Sequence, residues 1–336
     1  MRKIVSLKKI DKIVPIENAD AIETAKLGGW NSVIKKGEYQ AGDTVIYCEV
    51  DTFLPTSVEE FSFLANRGTK VRVSPLTNQE VEGHTLKTMK LRGVVSQGLI
   101  LPISDFGLTE NSTQEEVDTV FAKLGVFKYE PPLPAGGGQI GSFPAEARKT
   151  DSERVQNLTD EFLQSLNPDD WYASEKIDGT SSTFVKRDGR VLVASRNWTV
   201  DPETSLQGKI AERLKLNEIM PEGSVIQGEI FGEGIQKNPL KISGTRLMVF
   251  SSYSPIENEE FDQFVKEHSV PLLDFVLPQT VDEAVEQVNK MKSSVNPRVQ
   301  AEGVVWWNRN GETFDELDDR SNFKAINNAF LMKHGG

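Results

Sequence analysis

Lys176 and Asp178 stand two residues apart, with Gly179 directly after them, in the stretch between Trp171 and Ser181. On an extended backbone, side chains two apart share a face. A lysine and a carboxylate would therefore point the same way at one end of a strand, and Gly179 would free the chain for a tight turn. The pairing suits a lysine nucleophile with a carboxylate beside it. Alone, Lys-x-Asp-Gly is also what an exposed turn with a solvated lysine looks like, so the chemistry depends on companions. Four later stretches supply them: Ser195-Arg196, Gly228-Glu229, Glu302-Gly303 and Lys324. Taken singly each reads as structural, since glycine beside a charge at a strand end is common. Phe250 taken singly reads as core.

Strands must hold these residues. Trp171, Tyr172 and Ala173 read as a strand ahead of the lysine. After it, 183–187 and 191–194 flank Asp188-Gly189, a strong hairpin signal. Further strands are expected at 224–232 carrying Glu229, at 246–253 carrying Phe250, at 302–307 starting from Glu302, and at 322–327 carrying Lys324. Helices are expected at 154–158, 160–166, 204–220, about 258–268 and 281–293.

Residues 1 to about 125 read as short strands punctuated by glycine turns, the pattern of a small β-barrel or sandwich. An OB-like barrel is expected, with the polar stretch 57–84 a long loop and a helix over 115–124. His84 falls in that loop without an evident metal partner. Lys87, Lys90 and Arg92 cluster, with Lys35 and Lys36 elsewhere in the barrel. They are candidates for nucleic-acid binding and equally for a solvated face. The run from Pro131 to Gly138 breaks the pattern as a linker would. The expected division is an OB-like nucleic-acid-binding domain over 1–130, a linker over 131–145 and a second domain over 146–336.

Composition bounds the rest. The chain has 336 residues, enough for two domains, and 26% charged with 38% apolar residues fits a soluble globular protein. Cys48 is the single cysteine, which excludes an internal disulfide and any multi-cysteine zinc site. A lone thiol fits a reducing compartment, and no apolar segment has signal-peptide or membrane length. A cytoplasmic location is expected, or a nuclear one in a eukaryote, with no membrane partner. The net charge of -12 argues against a general nucleic-acid coat protein. Yet residues 1–130 carry 16 basic and 18 acidic groups, against 22 and 32 in the remainder. Local basic clusters can still hold phosphates, because charges act within roughly one Debye length.

Taken in order, Lys176–Gly179, Ser195-Arg196, Glu229, Phe250, Glu302-Gly303 and Lys324 resemble the ordered motifs of the covalent nucleotidyltransferases, the ATP-dependent polynucleotide ligases and capping enzymes. Residues 149–157 resemble the segment that precedes the nucleophile in RNA ligases. Gly29-Trp30, Gly42-Asp43, Glu49 with Asp51, and Ser96-Gln97-Gly98 resemble the amino-terminal OB domain of a nick-sealing RNA ligase group. Only 12 residues follow Lys324 in this sequence, where DNA ligases and capping enzymes continue into a further OB domain; this favours the RNA ligases. One departure is that relatives often alternate two lysines in the last motif, whereas Asn322 and Ile326 flank Lys324 here.

The resemblance implies an α+β protein, an OB-like barrel followed by a nucleotidyltransferase domain of antiparallel sheets. It implies ATP-dependent RNA ligation of 3′-hydroxyl and 5′-phosphate ends through AMP on Lys176. The expected partner is nicked RNA or an RNA-containing duplex, and the protein is expected to be a monomer. A lysine with an ordinary pKa near 10.4 must lose its proton to attack, and nearby cations or desolvation favour that. Asp178, Glu229 and Glu302 resemble the carboxylates that hold Mg²⁺ or Mn²⁺, directly or through water. Glu175, Ile177 and Phe250 would contact the base, and Arg154, Arg196 and Lys324 the phosphates. A DNA ligase, a capping-type guanylyltransferase, or a nucleic-acid-binding protein with an inactive ligase domain are the alternatives. The intact charged motif set counts against the last.

Overall fold

The structure, a computed structural model, describes residues 3–130, 138–289 and 291–334. Two compact units divide the chain. Met1–Pro131, Gln156–Asp160 and Leu331–Gly336 make the first, Pro132–Val155 and Glu161–Phe330 the second. Most of the Pro/Gly run expected as a linker, 131–137, lies outside the described residues.

The first unit is built from short antiparallel strands. Val5–Lys9, Thr44–Cys48 and Leu99–Pro102 pair in one sheet, and Lys12–Pro15, Ile22–Leu27 and Trp30–Lys35 form a meander. Strand Thr44–Cys48 serves two cores because its side chains alternate. Ile46 and Cys48 join a cluster with Leu54, Phe61 and Phe121, whereas Val45 and Tyr47 join one with Leu27 and Trp30. The stretch 57–84 is not a loop. Glu59–Arg67 forms a 3-10 helix that buries Phe61 and Leu64, and Lys70–Val73 pairs with Glu80–Thr85 as a hairpin. Lys70–Val73 is an edge strand whose alternating Val71 and Val73 are exposed, so its pattern marks no buried face.

Gln156–Asp160 belongs to this unit through specific bonds. Gly29 N donates to the Gln156 carbonyl at 3.3 Å, and Trp30 Nε1 donates to Asn157 Oδ1 at 2.7 Å. Asn157 Nδ2 in turn donates to Glu49 Oε1 at 2.9 Å. Trp30 and Glu49 are both buried. The Gly29-Trp30 pair and Glu49 thus converge on Gln156 and Asn157, the last two residues of the 149–157 segment.

The second unit contains two antiparallel-rich sheets. One orders Gln139–Ser142, Trp198–Val200, Arg190–Ala194, Thr180–Arg187, Val225–Gly232 and Thr245–Tyr253. The other orders Glu153–Arg154, Asn322–Ile326, Gly303–Asn308, Trp171–Lys176 and Leu272–Leu273. Between 183–187 and 190–194 the hairpin turns at Asp188 and Gly189 as expected, both at positive φ. The helix expected over 154–158 is absent. Arg154 instead pairs in parallel with Lys324, and Val155–Asn157 makes a single 3-10 turn. The segment's backbone groups are taken up by neighbouring strands, which outweighs local helical preference. The helix expected over 204–220 is two, Leu206–Arg213 and Leu216–Ile219, interrupted at Lys215 with φ 53°. The helix from Val281 ends at Val288, short of 293.

Candidate active site

Lys176 ends one sheet and Thr180 begins the other, so Ile177, Asp178 and Gly179 form the crossing between them. This crossing explains the glycine. A Cβ on Gly179 would collide with the Ile230 carbonyl and press on Glu229. The strand bearing Glu229 therefore approaches the lysine turn more closely than any other residue permits. A second close approach occurs at Gly303, where a Cβ would strike the Ala325 carbonyl. Gly303 pairs with Lys176 on one side and Ile326 on the other. Glu302, just ahead of it, is thereby brought to the lysine.

Lys176 Nζ donates to Glu302 Oε2 at 2.8 Å and lies 2.7 Å from Oε1 in an ion pair. A quarter of the lysine side chain remains accessible, and 13% of Glu302. Burial works to lower the lysine pKa, but Glu302, Glu229 and Asp178 outweigh it and raise the value above normal. In this state Lys176 is an ammonium. Burial and Glu302 push Asp178 up to about 7 against the pull of Lys176. Burial also lifts Glu229 to about 8, again opposed by Lys176 and reinforced by Glu302 and Asp178. The single ammonium does not offset three carboxyl groups, so Asp178 and Glu229 hold protons near neutral pH, and a bound cation would favour their ionised forms.

That donor set suits a hard, hydrated ion. Among the described residues no three His, Cys, Asp or Glu side chains are grouped so as to ligate one metal together. Mg²⁺ retains several waters and needs few protein oxygens. Asp178, Glu229 and Glu302 therefore fit as holders of a hydrated ion, with water completing the shell.

Beside the lysine lies a pocket lined by Ser174, Glu175, Ile177, Glu229, Phe250 and Trp307, together with Thr150, Ser152, Val270 and Val305. Phe250 and Trp307 lie nearly parallel, 19° apart with centroids at 5.9 Å. They are too close to admit a base between them and form a single wall on which one can stack. The register explains how Phe250 reaches it. Gln227 pairs with Ser251 and Gly228 with Val249, which leaves Phe250 as the extra residue of a β-bulge. Bulges re-aim side chains, and they favour active sites. Trp307 is fixed by a 2.9 Å bond from Nε1 to Ser174 Oγ.

Residues 148–152 run along this pocket under several restraints. Gln227 Nε2 donates to the Arg148 carbonyl at 2.8 Å, and Thr150 Oγ1 meets Ser181 Oγ at 3.0 Å. Asp151 is ion-paired with Arg196. Beyond it, Arg154 and Lys324 sit side by side on paired strands, and Lys324 also pairs with Val305 of the pocket lining. The candidates Lys176, Asp178, Glu229, Glu302, Glu175, Ile177, Phe250, Arg154, Arg196 and Lys324 thus fall on adjoining strands and turns of one unit. Ile326, one of the two alternate positions that flank Lys324, is buried.

Lys35, Lys36, Lys87, Lys90 and Arg92 belong to the other unit and are exposed. Lys90 and Arg92 lie on the hairpin of Met89–Leu91 and Val94–Ser96. Val33 N donates to Ser96 Oγ at 2.9 Å, which ties that hairpin to the strand ending at Lys35. Thr150, Ser152, Trp307 and the bulge join the site without having stood among the sequence candidates. Trp307 carried a usable signal, since it stands an even number of positions from Val305 on the strand after Glu302.

Comparison with known proteins decides the family. The RNA ligase family model matches residues 169–326, and an OB-fold domain model matches residues 4–103. Naegleria gruberi RNA ligase with PPi is 32% identical with a TM-score of 0.81, over 100% of this chain and 99% of that one. A lysine-to-alanine mutant of the same ligase with ATP and Mn gives 32% identity and a TM-score of 0.81, over 99% of each chain. The chain belongs to the RNA ligase family. No curated protein sequence matches it significantly. The fold of this RNA ligase is accordingly α+β, an amino-terminal OB-fold domain followed by a sheet-rich ligase domain with flanking helices.

Proposed function

We propose that this RNA ligase joins a 3′-hydroxyl to a 5′-phosphate in nicked, RNA-containing duplexes, with AMP carried on Lys176 between the steps. The observation that carries the reading is the placement of Lys176. It is held by Glu302 at 2.7–2.8 Å, beside a pocket walled by Phe250 and Trp307. Support for ATP and a divalent cation comes from the Naegleria ligase, whose mutants have been obtained with ATP and Mn and with AMP and Mn.

In the first step Lys176 Nζ attacks the α-phosphorus of ATP. A nitrogen–phosphorus bond forms, the bond to the β-phosphate oxygen breaks, and pyrophosphate leaves. The ammonium must first lose a proton, and Glu302 is the base within hydrogen-bond reach. A bound Mg²⁺ or Mn²⁺ would offset the carboxylate and phosphate charges and so favour the neutral amine. Phe250 and Trp307 would stack the base, with Ile177 packing against it. Glu175 would meet its edge. Arg154, Arg196 and Lys324 would stabilise the charge that develops on phosphate oxygens. In the second step AMP passes to the 5′-phosphate and Lys176 is released. In the third the 3′-hydroxyl attacks the adenylylated phosphate and expels AMP.

The substrate claim is tested with a pre-adenylylated nick ending in either ribose or deoxyribose at the 3′-hydroxyl. The 2′-hydroxyl is the group by which a protein distinguishes RNA from DNA at a site. Sealing should be faster by at least an order of magnitude with ribose. Equal rates would point to a DNA ligase.

A further inference from the structure

The loop between the strands of Glu229 and Phe250 holds a backbone that L residues avoid. Gln236, Lys237 and Asn238 follow one another at φ 45°, 61° and 50°, and Lys241 stands at 50°. A residue in the left-handed region is ordinarily single, and most often glycine. Such strain persists only where the surroundings fix it, and it gathers at ligand clamps and active sites. Here the surroundings do fix it. Asn238 N donates to the Ile235 carbonyl at 2.6 Å. The Asn238 side chain spans the loop, donating to the Ile242 carbonyl at 2.8 Å and accepting from Ile242 N at 3.2 Å. Asn296 Nδ2 donates to the Leu240 carbonyl at 2.8 Å. Ile235 and Leu240 flank the turn and are buried. The Glu233 N to Gly244 carbonyl bond, 2.9 Å, closes the base.

The charge of this loop is as unusual as its backbone. From Gly234 to Ile256 the sequence holds Lys237, Lys241 and Arg246 and no acidic residue, in a part of the chain where acidic groups outnumber basic ones. All three are exposed. The adjoining carboxylate, Glu233, is occupied at the base of the loop, where its Oε2 accepts from Gly244 N at 3.2 Å. On the strand Thr245–Tyr253, Arg246 and Met248 share a face. Met248 in turn packs in one cluster with Phe250, Leu240 and Ile177. Basic groups therefore lead outward from the wall of the pocket, Arg246 beyond Met248 and then Lys241 and Lys237 on the loop. Exposed cations in series, without a carboxylate among them, suit the successive phosphates of a nucleic-acid strand.

We propose that Lys237, Lys241 and Arg246 form a phosphate track that seats the RNA strand whose end reaches Lys176. The left-handed turn Gln236–Asn238 is the rigid part that aims its outer lysine. The proposal rests on the reading of nicked, RNA-containing duplexes as the substrate.

The test measures the Kd of the full chain for a nicked RNA duplex without ATP, as a function of salt. Lys237→Gln combined with Lys241→Gln should raise the Kd about tenfold and lower the salt slope by about 2, roughly one unit per lost phosphate contact. Gln236→Gly keeps every charge and relaxes the turn. It should weaken binding without changing the slope, and it should not lower the melting temperature. Lys215→Gly is the control, since Lys215 is also an exposed lysine at positive φ, 53°, between two helices outside the loop. It should leave both the Kd and the slope unchanged. An unchanged slope in the double variant, or an equal loss in the control, would overturn the proposal. So would a rise in the KM for ATP in self-labelling without loss of duplex binding, which would assign these lysines to the triphosphate. Failure of the wild type to bind or seal the nicked duplex, with self-labelling intact, would instead defeat the reading of the substrate.

Discussion

At the scale of single residues, the site is an electrostatic compromise. Glu229 and Asp178 have pKa values of about 8 and about 7, raised chiefly by burial. In the unfolded chain such groups titrate near 4. Between roughly pH 4 and 8 the folded protein therefore binds more protons than the unfolded one, and its stability falls as pH rises. Below the unfolded value the penalty is absent, and above about 8 it is complete for Glu229. Glu229→Gln keeps the neutral shape and removes the charge. In metal-free buffer it should melt a few degrees above wild type at pH 8.5, with the gap closing by pH 5. Its self-labelling should be slower by orders of magnitude. A variant that melts lower at both pH values by the same amount would contradict this assignment of charge. Mg²⁺ should raise the melting temperature of the wild type at pH 8.5 more than that of Glu229→Gln.

At the scale of elements, the decisive features are crossings and close approaches. Gly179 sits where a Cβ would strike the Ile230 carbonyl, whereas Gly189 faces open space at φ 73°. Gly179→Ala should cost about 1–3 kcal/mol by overpacking and reduce self-labelling at least tenfold, because Glu229 lies on the displaced strand. Gly189→Ala should cost about 1–2 kcal/mol from its left-handed backbone and leave labelling intact. Calorimetry with a labelling assay separates the two, and equal activity would remove the close approach from the account. The strands bearing Lys176, Glu229, Phe250, Glu302 and Lys324 were legible in the sequence because each is a compact apolar run bounded by turn residues. Their chemistry was legible only through the order of the motifs. The bulge at Phe250 was not, since it depends on the register between two strands. The Arg154 stretch was misread because its partners, Lys324 and Gly29, are remote in sequence. Asn157 had no local signal at all, as its role appears only where Trp30 and Glu49 meet it.

At the scale of the whole molecule, charge is divided unevenly. Residues 1–130 are near neutral and the remainder is acidic, so phosphate contacts away from the reaction centre are better served by the OB-fold unit. Lys87→Glu combined with Lys90→Glu in the full chain should weaken nicked-duplex binding and lower its salt slope by about 2, roughly one unit per lost phosphate contact. Self-labelling should be untouched, and an unchanged salt slope would assign these lysines to a solvated face. Above all, one lysine must carry AMP. The direct measurement is incubation with α-labelled ATP and Mg²⁺, followed by digestion and mass mapping of the adduct. The predicted result is a single AMP adduct on the peptide holding Lys176, absent from Lys176→Ala and from Lys176→Arg, since arginine does not lose its proton. An adduct on any other residue, or labelling of Lys176→Ala at the wild-type rate, would contradict it.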